Sequence, residues 1–134
     1  MRTSKTRWST CFVAMIVIGC VGARAEAQDT VSITTPEGNP TWIAGNGATV
    51  AAMVYGSTPV STMRVTIYAT DDPTTILYSN TSTYVFFWYL NFTCPSGGVP
   101  GNYLACTLEV DAIGSDGVTI VGTSTTSVNI YTTN

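Results

Sequence analysis

From Thr30 onward the apolar positions fall in short runs that repeat every second residue, each run ended by Gly, Pro, Asn or Asp. That period is the signature of half-buried strands. TVSITT (Thr30–Thr35) forms a first strand stopped by Pro36, and ATVAAMVY (Ala48–Tyr55) a second. Between them GNPTWIAGNG reads as a turn-rich crossing that carries Trp42 and Ile43. TMRVTIYAT (Thr62–Thr70) alternates cleanly, with Met63, Val65, Ile67 and Ala69 on one face and Arg64, Thr66, Tyr68 and Thr70 on the other. Asp71-Asp72-Pro73 turns the chain into a short strand at Ile76–Tyr78. Leu104, Cys106, Leu108, Val110 and Ala112 form the core face of a later strand, with Ala105, Thr107, Glu109 and Asp111 opposite. Ser115-Asp116-Gly117 then leads into a last strand ending at Tyr131. About seven short strands at this spacing, with no helical period, predict an all-β sandwich or barrel. One stretch breaks the rule. In TYVFFWYLNF, Thr83 to Phe92, aromatic and large aliphatic residues run without interruption from Tyr84 to Leu90.

The N-terminus has a different pattern. Arg2, Lys5 and Arg7 precede an apolar run from Cys11 to Val21, followed by the small-x-small sites Ala23-Arg24-Ala25 and Ala25-Glu26-Ala27. This is the layout of a secretory signal peptide over residues 1–27, and the run is too short for a membrane span. Val17-Ile18-Gly19-Cys20 also fits a bacterial lipobox, the alternative in which Cys20 is lipidated. Residues 28–134 then form one domain, near the usual size of about 100 residues.

Charge narrows the function further. Beyond the leader Arg64 is the single strong base, against Asp29, Glu37, Asp71, Asp72, Glu109, Asp111 and Asp116. So acidic a chain repels nucleic acid and anionic lipid, which leaves a lipid at Cys20 as the sole route to a membrane. Cys94 and Cys106 remain after the leader, and export makes a disulfide between them the natural reading. With no His in the chain, a metal or redox role for these cysteines is disfavoured and no cofactor is implied.

The order of motifs resembles bacterial immunoglobulin-like domains. VSITTPEGN followed by GATVAAMVYG resembles their V-x-I-x-x-P strand, turn and T-V strand, and MRVTIYAT their V-x-F/I-Y strand. Tyr84-x-Phe86-x-Trp88 resembles a Y-x-Y/F-x-W strand, Gly101-Asn102-Tyr103 the opening of a tyrosine corner, and Val110-x-Ala112 with Ser115-Asp116-Gly117 the turn before the last strand. The resemblance implies a two-sheet antiparallel sandwich with Greek-key connections. Two residues depart from it. Gly114 stands where a capping Asp is usual, and Tyr103 is out of phase with the Leu104–Val110 face, so the corner needs a bulge there.

Several side chains invite a chemical role. Asp71 and Asp72 are calcium candidates, joined by Glu37 or Asp116, although Asp before Pro in a turn needs no metal. Glu109 and Asp111 share a strand face at a spacing of about 6–7 Å, but a small sandwich lacks the deep pocket that catalysis by carboxylates requires, and an enzyme is not expected. Asn80-Thr81-Ser82 and Asn91-Phe92-Thr93 match the glycosylation acceptor and read as turn residues.

The aromatics are the stronger candidates. The resemblance puts Tyr84, Phe86, Trp88 and Leu90 in the core, which turns Val85, Phe87 and Tyr89 outward, with Tyr68 and Tyr55 on the same outer surface. Such a surface either binds a partner or lies under the segment around Trp42. A strand this bare of charge and Pro belongs at the centre of a sheet or against a permanent partner. The expected function is a non-catalytic binding or adhesion module, secreted or held at the surface or in the periplasm of a bacterium. Its partner would be an extracellular protein or polysaccharide. The alternative is a structural envelope component, a lipoprotein anchored through Cys20, or a self-associating surface subunit that forms a homo-oligomer.

Overall fold

A computed structural model describes residues 29–134. The expected signal peptide and the lipobox at Cys20 lie outside the described residues. Eight strands form, β1 (Thr30–Thr35), β2 (Thr41–Ile43), β3 (Gly47–Tyr55), β4 (Val60–Ala69), β5 (Asp72–Thr83), β6 (Trp88–Thr93), β7 (Asn102–Gly114) and β8 (Ile120–Thr132). They make a three-stranded sheet ordered β1-β3-β6 and a five-stranded sheet ordered β2-β8-β7-β4-β5. The pairings are antiparallel except for β2, which runs parallel to β8. The chain crosses between the sheets after β1, β2, β3, β5 and β6, as in the immunoglobulin-type sandwich.

Alternation explains the core. Val50 from β3, Met63, Val65 and Ile67 from β4, Leu108 and Val110 from β7, and Val128 and Ile130 from β8 are fully buried between the sheets. Burial of each such side chain is worth about 1.5–3 kcal/mol. Two elements differ from the expectation. The crossing that carries Trp42 holds the short β2, anchored where Trp42 pairs with Ile130. The fifth strand spans twelve residues rather than three, because Asp72, Ile76 and Tyr78–Thr83 pair with β4 along a sheet edge that needs little apolar side chain.

The β7–β8 turn shows how a missing cap is replaced. Gly114 leaves the usual position without a carboxylate, and Asp116 supplies it, its Oδ1 accepting from the Val118 and Thr119 amides at 2.9 Å. Those bonds, with a further one from the Thr119 hydroxyl as the largest influence, hold the Asp116 carboxyl down at about 2. Gly117 follows at φ +79°, a conformation that side chains rarely adopt.

The tyrosine corner is not formed. No bulge occurs near Tyr103, which pairs directly with Tyr131 and stays exposed, its ring 4.8 Å from that of Tyr131. That part of the resemblance is coincidental.

Candidate functional site

The unpatterned stretch resolves into a corner. β5 ends at Thr83, Tyr84–Phe87 crosses from the five-stranded to the three-stranded sheet, and β6 starts only at Trp88. Tyr84 turns inward, and its amide donates to Ser61 O at 3.0 Å. Trp88 is buried, and its indole N–H reaches the Ser82 hydroxyl at 2.8 Å, fastening the end of β5 to the start of β6. From Trp88 onward alternation holds, with Leu90 and Phe92 inward and Tyr89 and Asn91 outward.

Phe86 corrects the sequence reading. It was expected in the core with Trp88, and it is 64% exposed. The Y-x-F-x-W phase assumes continuous strand, and the corner at Phe86–Phe87 breaks that phase. Val85 is 56% exposed, Phe87 74% and Tyr89 63%, so four large apolar side chains cluster at the surface around the start of β6. The Phe86 and Phe87 rings meet edge to face, 4.6 Å apart at 67°.

Phe87 and Tyr89 continue onto the outer face of the three-stranded sheet. With Thr34, Ala51 and Met53 they line a groove of about 170 Å³. Tyr55 lies on this face too, its hydroxyl 3.4 Å from the Met53 sulfur. The segment around Trp42 does not cover this face. Trp42 packs on Phe92, 5.8 Å away, on the core side. Nor is β6 central, since it is the outermost strand of its sheet.

Tyr68 is separated from this group. It sits on the outer face of the five-stranded sheet, beside Arg64, Glu109, Asp111, Pro73 and Ile76 in a shallow groove. A register shift between β4 and β5 at Tyr68 brings it opposite Ile76, which forms one wall. Beneath lies a charged floor. Arg64 Nη2 is 2.9 Å and Nε 3.2 Å from Asp111 Oδ2, and the Thr123 hydroxyl donates to Asp111 Oδ1 at 2.6 Å. Asp111 is on the outward face as expected, yet only 1% exposed, because Arg64 and Thr123 close over it. Burial first, then the hydrogen bond and charge of Asp111, push Glu109 up to about 6 against the opposing pull of Arg64.

The loop carboxylates stay in their own turns. Asp72 accepts from the Thr74 hydroxyl at 2.6 Å and the Thr75 hydroxyl at 2.7 Å, bonds that lower its pKa and occupy both oxygens. No group of three acidic, His or Cys side chains suited to a metal occurs among the described residues, so Asp71 and Asp72 gather no further ligand. Cys94 and Cys106, the pair expected to bridge, are both buried and stand as free thiols. Each sulfur is turned to a nearby carbonyl, Cys94 to Pro95 O at 3.5 Å and Cys106 to Leu104 O at 3.6 Å. Burial, followed by the charge of Cys94, pushes the Cys106 thiol up to about 11.

No protein family matches this chain, and no curated protein matches it. Among solved structures it is similar to the fibronectin(III)-like modules of Clostridium thermocellum CbhA, at 28% identity and a TM-score of 0.48. The match takes in 76% of this chain and 46% of that one, so the chain spans about half the length of that structure.

Proposed function

We propose that this chain is an exported, non-catalytic domain of the bacterial immunoglobulin-like type that binds a protein through the outer aromatic surface of its three-stranded sheet. The observation that carries the reading is the exposure of Val85, Phe86, Phe87 and Tyr89 together, beside Met53 and Tyr55. Contiguous apolar surface of this kind is held at a cost unless a partner covers it. The chemistry favours a protein over a polysaccharide there. Phe86 and Phe87 have no polar atom, and rings at 67° offer no common plane on which a sugar chain can lie. Catalysis is disfavoured because Asp111 is already held by Arg64 and Thr123.

Export would carry Cys94 and Cys106 into an oxidising compartment, where a bridge would tie the end of β6 to β7. Loss of two hydrogens in the intact mass of the exported protein would report it.

Fluorescently labelled protein applied to intact bacterial cells tests the binding reading. Coating should be lost in Phe86→Ser/Phe87→Ser while the far-ultraviolet β signal is kept. Equal coating by wild type and variant would remove the aromatic surface from the function. The groove at Tyr68 supports a second, polysaccharide-binding reading, since an aromatic ring beside Glu109 and Arg64 suits sugar hydroxyls. Retention on a neutral-glycan array that disappears in Tyr68→Ala would favour it.

A further inference from the structure

We propose that β6 pairs with β6 of a second copy of this chain, antiparallel about a two-fold axis at Asn91. The proposal rests on the end of the three-stranded sheet that carries Phe87 and Tyr89 being the binding surface, and names what pairs with its open edge.

The backbone shows which groups are on offer. The Cys94 amide donates to Asn46 O at 2.8 Å, and Cys94 O accepts from the Gly45 amide at 2.9 Å, so Cys94 faces β3. In an antiparallel ladder this orientation alternates. Phe92, Leu90 and Trp88 therefore also face β3, and Tyr89, Asn91 and Thr93 direct their N–H and C=O groups away from it. No strand pairs with that side of β6 among the described residues. The other outer strands are guarded. β1 lies against β8, where the Asp29 amide donates to Val121 O at 2.6 Å, β2 is only three residues long and follows Pro40, and β5 opens on Asp72-Pro73. β6 carries neither charge nor Pro along its length, the two common guards of an edge.

Charge selects a second copy as the occupant. Residues 29–134 hold seven carboxylates against Arg64 alone, so most faces of two copies repel one another. The stretch from Pro73 to Leu108 has no charged residue at all, and β6 lies within it. It is the surface on which two such chains meet without opposing like charges. Pairing about Asn91 is self-complementary. Tyr89 of each copy falls opposite Thr93 of the other, Asn91 opposite its own equivalent, and the exposed Phe87 opposite Pro95. Pro95 has no N–H, so the ladder ends there. The two three-stranded sheets become one continuous sheet with both aromatic faces on the same side.

Sedimentation velocity over a concentration series tests this. A monomer–dimer equilibrium is expected, shifted toward dimer by added salt because screening reduces the repulsion between two acidic chains. Asn91→Lys sets like charges against each other on the axis and should weaken the dimer about tenfold, equivalent to roughly 1.4 kcal/mol. Asn91→Cys should join the copies covalently through a short bis-maleimide, while buried Cys94 and Cys106 stay unreacted. A monomer at every concentration, a dimer indifferent to Asn91→Lys, or no cross-link at position 91 would each overturn the proposal. If pairing fails while cell coating still depends on Phe86 and Phe87, the binding surface stands and its occupant is another protein. If both fail, both are wrong.

Discussion

Arg64 is the one strong base of the described chain, and it is committed to Asp111. A buried carboxylate stripped of its cation is among the more damaging single changes, worth 3–5 kcal/mol for a fully buried pair. Arg64 is 37% exposed, so water offsets part of that loss, and Arg64→Ala should destabilise the fold by about 2–3 kcal/mol in urea denaturation. Glu109 gives a different signal. Its carboxyl titrates near 6 in the folded chain, above its unfolded value, so the folded state holds the extra proton between the two. Stability contributed by this group is therefore present at low pH and lost as pH rises through about 6. Denaturation midpoints should rise on going from pH 7 to pH 5 in the wild type, and Glu109→Gln should flatten that slope. The opposite sign belongs to Asp116, whose lowered carboxyl stabilises the turn at neutral pH and ceases to do so as pH falls toward 2.

At the scale of elements, the corner between β5 and β6 separates the structural aromatics from the rest. Trp88→Ala should cost about 3–5 kcal/mol, because it opens a cavity and frees Ser82. Phe87→Ser, on a side chain 74% exposed, should change stability by less than about 0.5 kcal/mol. Thermal melts of the two variants check the contrast. Most strands are legible in the sequence, because Val65 and Ile67 on β4 and Leu108 and Val110 on β7 alternate with outward polar residues. Phe86 was misplaced because nothing in a continuous aromatic run marks a corner. Neither Gly nor Pro occurs between Asp72-Pro73 and Cys94-Pro95, so the turn is set by packing of Tyr84 and Trp88 rather than by local backbone preference. β2 looks like loop in the sequence because its pairing partner, Asn129–Tyr131, is remote along the chain and parallel. Tyr68 and Phe87 share only their chemical type, and strand order separates them, since β4 and β6 belong to different sheets.

Taken whole, the molecule has two unlike faces. The outer face of the five-stranded sheet is polar and carries the Arg64–Asp111–Glu109 cluster. The outer face of the three-stranded sheet is uncharged and ends in exposed aromatics on an open edge. A chain this acidic stays dispersed by repulsion, which restrains its bare edge from indiscriminate pairing and leaves room for one specific contact. Hydroxyl-radical footprinting of the dilute monomer tests that division most directly. Phe86, Phe87 and Tyr89 should label heavily and Trp88 hardly at all, with protection of the first three appearing as partner or concentration is added. Low labelling of Phe87 and Tyr89 in the dilute monomer would mean that the chain covers this surface itself, and the binding role would fall with it.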